Sequence, residues 1–325
     1  MNRLILSKIL AGSIGLLCVF LAYNHNKSAT YEIGGSIYGT YWKLVSPDYI
    51  TDSIKQSIVD ELDRIDLVTS NYKLNSELSL LNQAPPNTNI KISQELSNLL
   101  IFAENITLLT DGAYDVTLGK LVIQAGFGPA VNAELFDPRA TKRFVIDENL
   151  NLHKYNNFLL DLSSIAKGYA VDKIYDLLNA SNKNNFLFDI GGELVVSGSN
   201  HGEPWVIGIQ NPLNYKNQSI VNVTSDNFLA IATSGEYRNF NIDEQGMRTS
   251  HTLNPQTGKS ISNDVLSVTV TSDLSSMQAD AWATAMNVIG PNKGLKLAEK
   301  HDISVLYIIS NNDEINFLKS SNWTH

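Results

Sequence analysis

The chain has 325 residues, of which 43% are hydrophobic and 18% are charged, so it is long enough to bury one large core or two lobes. Its formal net charge is −9 at pH 7, and its arginines are scattered along the chain. A nucleic-acid-binding protein normally carries a clustered basic surface that neutralises phosphates. The composition therefore argues against a nucleic-acid partner.

The first 27 residues predict a targeting segment. Arg3 and Lys8 precede an uncharged run over residues 9–23, and a polar stretch follows, which is the layout of a secretory signal. The run of about 15 residues is short for a membrane span but sufficient for a signal anchor. Cys18, the single cysteine, excludes an intramolecular disulfide and is a candidate for lipidation. We expect residues 1–27 to be a cleaved signal or an inner-membrane anchor, with residues 28–325 on the periplasmic side.

Hydrophobic residues recur at helical spacing in several parts of the remaining chain. The pattern predicts helices over residues 52–68, 93–109 and 164–178. A further helix should begin near Ser275, because Ser275 and Gln278 have the spacing of a capping box. Pro291 follows Gly290, which should end that helix and open the next one.

Short β-rich runs occupy the second half of the chain, and several of them are followed directly by turn signals. They cover residues 186–188, 205–210, 228–232, 265–271 and 303–309. Helices and strands are mixed without a regular βαβ alternation, which favours the α+β class over a doubly wound sheet. We expect mixed sheets with packed helices, in one large core or two lobes.

Asp280 and Thr284 lie four residues apart in the helix predicted after Ser275, so both side chains should project from one face. A carboxylate and a hydroxyl on adjacent turns provide two hard oxygens, which suit Mg²⁺ together with substrate phosphates. The same spacing also fits an acidic residue favoured by the helix dipole beside a packed threonine.

Two other segments contain residues that can carry chemistry. In residues 161–170, serines precede a helical pattern and Lys167 follows them, so amides and an ammonium can face an anion. An ordinary helix cap with a solvated lysine also fits this segment. His251 stands beside a turn at residues 250–255, and a histidine there is either a general base or a polar surface residue.

A series of short segments, in this order, resembles the FAD:protein FMN transferase family, also called the ApbE-like family. The resemblance covers almost everything after residue 35. It implies that residues 28–325 form one ApbE-like domain, with mixed sheets and packed helices in two intimately associated lobes. The matching segments are residues 39–42, Tyr72 with 75–79, 111–119, 126–128, 161–170, 189–193, 232–238, 250–255 and 279–284. Each string alone is weak, but their order over most of the chain is specific.

The resemblance implies a bound FAD whose pyrophosphate is bridged by Mg²⁺. Asp280 and Thr284 match metal-binding side chains, and Ser164 and Ala283 match positions that provide further oxygen ligands from the backbone. His251 matches the proposed catalytic base. A larger group matches flavin- or adenosine-contacting positions: Tyr38, Tyr72, Ala113, Tyr114, Asp115, Asp161, Lys167 and Leu253.

The activity implied by the resemblance is cleavage of FAD, attachment of FMN through a phosphoester to a Thr or Ser of a target protein, and release of AMP. The implied acceptor is a subunit of a membrane redox pump or a secreted flavoprotein on the same side of the membrane. Two alternatives use the same site. One is a Mg²⁺-dependent FAD pyrophosphatase that gives FMN and AMP, and the other is a non-catalytic periplasmic FAD-binding protein.

Overall fold

A computed structural model of the chain describes residues 14, 29–126, 128–129, 143–213, 218–235, 240–242, 248–250, 252–261, 264–311 and 314–325. The helices of this part of the chain are α1 (Asp52–Thr69), α2 (Glu77–Gln83), α3 (Gln94–Leu109), α4 (Gly119–Gln124), α5 (Ala166–Ala180), α6 (Ser276–Ile289) and α7 (Pro291–Lys300).

The strands are short and concentrate in the second half of the chain. They are β1 (Tyr31–Ile37), β2 (Thr40–Ser46), β3 (Thr88–Lys91), β4 (Phe144–Ile146), β5 (Asn151–Lys154), β6 (Phe186–Ile190), β7 (Glu193–Ser197), β8 (Trp205–Gln210), β9 (Ser219–Ser225), β10 (Leu229–Gly235), β11 (Phe240–Ile242), β12 (Arg248–Ser250), β13 (Leu253–Asn254), β14 (Lys259–Ser260), β15 (Val265–Ser272), β16 (Ser304–Asn311) and β17 (Glu314–Lys319).

One eight-stranded sheet organises the fold, with the strand order β1-β2-β6-β7-β10-β15-β16-β17. Every neighbouring pair in this sheet is antiparallel. Strands β3, β5 and β4 form a smaller sheet, and β8 pairs with β9. The β1–β2 hairpin turns at Tyr38 and Gly39, whose φ angles of 50° and 74° are those of a type I′ turn.

Both faces of the large sheet are buried, because successive residues of its inner strands enter different clusters of hydrophobic side chains. In β7, Val195 packs beneath the helices, whereas Val196 packs on the opposite face with Trp205 and Trp323. The helical face thus carries α5 and α6, and the opposite face is covered by the β8–β9 hairpin and the C-terminal residues.

Two clusters lie on the helical face and form the two lobes. The first contains Leu44 and Phe188 beneath α1 and α5, and the second contains Leu100 and Trp282 beneath α3 and α6. Tyr169 packs against both clusters, so the lobes are continuous through the interior. The prediction of an α+β fold with packed helices and two intimately associated lobes is confirmed.

The predicted helices form within a few residues of their expected bounds, and the start of α6 at Ser275 is confirmed. The capping box there is half formed. Ser275 Oγ accepts a hydrogen bond from the Gln278 amide at 3.2 Å, but the Gln278 side chain accepts one from Ser272 Oγ instead of from the Ser275 amide. Helix α5 begins without a side-chain cap at Ile165, so the serines before it serve another purpose.

Within the described residues, no helix combines the length and the apolar character that a membrane span requires. The predicted targeting segment over residues 1–27 lies outside the described residues, apart from Ile14. Its role as a signal or an anchor stays a prediction.

Candidate active site

A close contact between α5 and α6 positions the central acidic residue of the site. A Cβ atom on Gly168 would lie 2.5 Å from the Ser276 carbonyl oxygen and 2.7 Å from Met277 Cα, so only glycine permits this approach. The Gly168 amide consequently reaches Asp280 on α6 and donates a hydrogen bond to its Oδ2 atom across 3.1 Å. Helix packing therefore orients one side of the Asp280 carboxylate.

The start of α6 is held by Asp172, which lies on α5. Its carboxylate accepts hydrogen bonds from Ser275 Oγ at 2.6 Å and from the amides of Ser276 and Met277 at 2.6 and 3.0 Å. These amides are among the four at a helix N-terminus that have no partner within the helix. Asp172 thus fixes the first turn of the helix that carries Asp280 and Thr284.

Three charged side chains meet next to this helix. Lys167 Nζ lies 2.5 Å from Glu193 Oε2, and Glu193 is 4% exposed at the start of β7. Burial raises the pKa of Asp280 well above its usual range, and the negative charge of Glu193 raises it further, while Lys167 opposes both effects. Asp280 itself is 3% exposed, so its carboxylate lies in a poorly solvated environment.

A cavity of about 240 Å³ brings most of the predicted site residues together. Its walls come from α6, from the ends of β7 and β10, and from the segments around residues 113–118, 161–167 and 252–255. The predicted residues that line it are Ala113, Tyr114, Asp115, Asp161, Ser164, Lys167, Leu253, Asp280 and Thr284. Residues far apart in the sequence therefore converge on one small chamber.

A second cavity of about 1,030 Å³ adjoins the first, since Val122, Asp161, Ser163 and Lys167 line both. The other predicted residues in its wall are Tyr38 and Tyr72. Binding pockets for small molecules and cofactors commonly enclose 300–1,000 Å³. The two cavities form a cleft with the volume for an extended dinucleotide.

The segment around residue 115 is anchored where the cavities meet. The Gly119 amide donates to the Leu159 carbonyl at 2.9 Å, and the Asp161 amide donates to the Val116 carbonyl at 2.7 Å. Asp115 accepts hydrogen bonds from the amide and hydroxyl of Thr117. These contacts place the 113–118 segment against the start of α5.

Several predicted residues make specific polar contacts inside the cleft. The hydroxyls of Tyr114 and Ser164 are hydrogen-bonded at 2.8 Å, and burial raises the pKa of the Tyr114 phenol, which is therefore neutral. Arg143 forms an ion pair with Asp115. The Tyr38 hydroxyl donates to the Leu62 carbonyl at 2.9 Å, so its ring forms part of a fixed wall. Tyr72, by contrast, is 68% exposed at the cavity mouth.

Two predicted residues are not placed in the cavity wall. Ala283 is fully buried and lines neither cavity, and its role as a backbone oxygen ligand stays a prediction. His251 lies outside the described residues. Its neighbours Thr252 and Leu253 line the small cavity, and its role as a base stays a prediction.

The sequence did not single out Glu193 or Ser234 as site residues. Glu193 and Ser234 lie in residues 189–193 and 232–238, two segments that match the family without either residue being assigned a role. Ser234 Oγ lies 3.5 Å from Thr284 Oγ1, at the edge of hydrogen-bonding distance. An acidic residue directly after a Gly-Gly turn at a strand end was the available signal for Glu193.

The donor atoms in the small cavity fit a divalent cation of the Mg²⁺ type. Among the described residues, no three His, Cys, Asp or Glu side chains converge on a closed metal site. Asp280, Thr284 and Ser164 instead provide a partial set of oxygen donors in the same wall. Mg²⁺ binds through one or two carboxylates and completes its shell with waters and substrate phosphates. A cation would also stabilise the ionised form of the buried Asp280.

The fold and the cleft define an α+β protein with a site suited to a phosphate-bearing ligand and a divalent cation. The model of the ApbE family matches residues 38–307. The FAD:protein FMN transferase of Vibrio cholerae is 35% identical over 309 residues, which cover 90% of this chain and 91% of that protein. The protein of the same name from Haemophilus influenzae is 32% identical over 326 residues and 94% of each chain.

Solved structures show the same relationship. The structure of the flavin transferase ApbE from Vibrio cholerae matches with a TM-score of 0.78 and 32% identity, over 91% of this chain and 98% of that one. The apo form of the Pseudomonas stutzeri flavinyl transferase ApbE matches with a TM-score of 0.78 and 27% identity, over 91% and 96% of the two chains. The chain belongs to the ApbE family.

Proposed function

We propose that this chain is a Mg²⁺-dependent FAD:protein FMN transferase, which joins FMN through a phosphoester to a Thr or Ser of another protein and releases AMP. The transferase class follows from membership of the ApbE family, whose similar members bear that name at 30–35% identity over most of the chain. The observation that carries the finer proposal is the convergence of Asp280, Thr284 and Ser164 in a small cavity that opens into a larger one.

The proposed reaction is a phosphoryl transfer in which atoms and charge balance. The acceptor hydroxyl oxygen forms a bond to the phosphorus on the FMN side of FAD, and the bond from that phosphorus to the bridging oxygen breaks. AMP leaves with the bridging oxygen, and the hydroxyl proton passes to His251. Bound Mg²⁺ would neutralise charge on the pyrophosphate, which is the principal requirement of such a transfer.

The residues of the chain supply binding and orientation. Asp280 and Thr284 would hold the cation from adjacent turns of α6, and the contact with Tyr114 orients the Ser164 hydroxyl. Lys167 provides a positive charge at the wall shared by both cavities. The larger cavity, with Tyr72 at its mouth, has room for the flavin or the adenosine part of the substrate.

Incubation with FAD, Mg²⁺ and a candidate acceptor protein tests this function. A mass gain of one FMN on a Thr or Ser of the acceptor, with one AMP released for each, supports it. The variants Asp280→Ala and His251→Ala should abolish the gain, whereas Asp226→Ala, at an exposed loop position, should not. Release of FMN and AMP without a modified acceptor would indicate a pyrophosphatase. Binding of FAD without any turnover would indicate a flavin-binding protein.

We further propose that residues 1–27 direct the enzyme to the periplasmic side of the inner membrane, where its acceptor is exposed. The acceptor is then a membrane redox-pump subunit or a secreted flavoprotein. The charge pattern of the segment supports this location. Cell fractionation of the full chain and of a Cys18→Ser variant separates a plain anchor from a lipid anchor, since only lipid attachment depends on the thiol. Full-length protein recovered in the cytoplasm would refute the proposal.

A further inference from the structure

Glu193 is a buried acidic residue beside the proposed cation site, and neither the metal-binding pair nor the base explains its presence. Its side chain lines the small cavity and contacts Lys167 Nζ at 2.5 Å. Leaving a carboxylate in a buried position is costly unless it is paired or does other work. The ion pair with Lys167 offsets part of that cost.

Lys167 has two anionic partners to serve: Glu193 and the phosphates of a dinucleotide in the cleft. Lys167 lies in the wall shared by both cavities, directly before Gly168, whose amide binds Asp280. A cation at this junction attracts the phosphates of any dinucleotide in the cleft. Its ammonium, however, is paired with Glu193, which reduces the charge available to a phosphate.

The small cavity has more acidic than basic side chains. Lys167 lines it and Arg143 pairs with Asp115, whereas four acids line it: Asp115, Asp161, Glu193 and Asp280. Even with Asp280 protonated, as its burial favours, the formal charges of these residues leave one negative charge in excess. A pyrophosphate that enters this chamber alone meets net repulsion, which is strong where water is scarce. A divalent cation offsets the excess negative charge and offers the phosphates a positive partner, so the same pyrophosphate is then attracted.

We propose that Glu193 is a positioning residue that makes FAD binding depend on the divalent cation, by holding Lys167 and keeping the cation-free site negative. This inference rests on the proposed function, because it takes FAD and Mg²⁺ as the ligands. By thermodynamic linkage, FAD and Mg²⁺ each raise the affinity of the site for the other by the same factor. Glu193 sets the size of that factor. It thereby disfavours the binding of FAD to the metal-free site, where FAD cannot react.

The test is the dissociation constant of FAD, measured by flavin fluorescence or calorimetry, in EDTA and in saturating MgCl₂. The full chain with His251→Ala serves as the background, so that FAD is not consumed during the titration. In that background we expect Mg²⁺ to tighten FAD binding on the order of 10- to 100-fold. Adding Glu193→Gln should tighten FAD binding in EDTA by about 5- to 10-fold and reduce the Mg²⁺ effect by about tenfold.

Two further variants make the result specific. Glu193→Asp keeps the charge and should retain most of the Mg²⁺ effect, while Glu314→Gln makes the same change at an exposed position on the far edge strand and should alter nothing. If Glu193→Gln weakens FAD binding equally in EDTA and in MgCl₂, or changes neither, Glu193 has only a structural role and the inference is wrong. If Mg²⁺ has no effect on FAD binding even with Glu193 present, the proposed Mg²⁺ dependence fails as well.

Discussion

The amide of Gly168 on α5 and the carboxylate of Asp280 on α6 are joined by a 3.1 Å hydrogen bond at the closest contact between the two helices. The bond exists because residue 168 has no side chain to separate the helices. Gly168 is thus needed both for the packing of the two helices and for the orientation of Asp280 at the proposed cation site. Changes that disturb the contact between the helices should therefore affect stability and ligand binding together.

Replacement of Gly168 by alanine tests this coupling. The added methyl group would meet the backbone of Ser276 and Met277 at 2.5–2.8 Å, and backbone atoms cannot move aside as a flexible side chain does. We expect a loss of about 1–3 kcal/mol in the free energy of unfolding, together with weaker Mg²⁺-dependent FAD binding. Urea unfolding and a fluorescence titration of FAD measure the two effects.

Gly294→Ala is the matched control for that variant. Its methyl group would clash with the Tyr307 side chain beneath α7, and neither residue lines the cleft, so it should lower stability and leave FAD affinity unchanged. Equal losses of FAD affinity in the two variants would show that general destabilisation, not the α5–α6 contact, governs binding.

Asp172 should stabilise the protein through the N-terminus of α6. Substitution by alanine leaves the amides of Ser276 and Met277 and the Ser275 hydroxyl without their acceptor. The free energy of unfolding should fall by about 2 kcal/mol. Asp176→Ala removes an exposed acid one turn further along α5 and should have little effect in the same denaturation experiment. Equal stability of the two variants would contradict the capping role.

The sequence predicted the long helices and four inner strands of the large sheet, β6, β10, β15 and β16, because their hydrophobic patterns are local, but it did not predict the inner strand β7. It missed the β1–β2 hairpin, whose turn places Tyr38, a bulky residue, at a positive φ angle where Asn or Asp is usual. It also missed β9 and β17, which have few buried residues and therefore weak alternation. In these places tertiary contacts, not local preference, determine the conformation.

Some site residues were predicted and others were not, because only some of their contacts follow from local sequence spacing. Asp280 and Thr284 share a helix face, so their spacing made a joint role one of two interpretations, and the family resemblance selected it. Glu193 meets Lys167 only because β7 pairs within the large sheet beneath α5, and no sequence spacing records that contact. The support of α6 by Asp172 is likewise a contact between helices distant in sequence, which periodicity does not reveal.

The ion pair between Arg64 and Glu95 should make stability depend on acid pH. It joins α1 to α3, and the Tyr169 hydroxyl of α5 donates to the same carboxylate at 2.6 Å. Hydrogen bonding from Arg64 lowers the pKa of Glu95, with a smaller contribution from Tyr169, while burial opposes both. The unfolded chain therefore binds the proton more readily, and this stabilisation is lost as the pH falls below about 4.3.

Glu95→Gln tests that dependence. The variant should lose about 1 kcal/mol of stability at pH 7, because a charge-assisted contact becomes a neutral one on a partly exposed surface. Its difference from the unsubstituted protein should shrink as the pH falls through the lowered pKa of Glu95, because protonated Glu95 and the glutamine that replaces it are both uncharged. Thermal unfolding from pH 3 to 7 measures this, with the exposed Glu203→Gln as control. A difference in stability that stays constant from pH 3 to 7 would show that the charge of Glu95 does not cause it.

Asp280→Asn should separate stability from function. Burial and the charge of Glu193 raise the pKa of Asp280 in the fold, so the folded protein binds this proton more readily than the unfolded chain. Without metal, stability from this group is present at low pH and is lost as the pH rises from the usual aspartate range through the folded pKa. The neutral amide removes that loss, and the variant should melt a few degrees higher at pH 8 in EDTA. Its FMN transfer in Mg²⁺ should nevertheless fall by at least about 100-fold, because the proposed cation site loses its carboxylate ligand. Calorimetry in EDTA and FMN transfer in Mg²⁺ give both values, and a variant that melts lower than the unsubstituted protein in EDTA at pH 8 would refute the electrostatic account of Asp280.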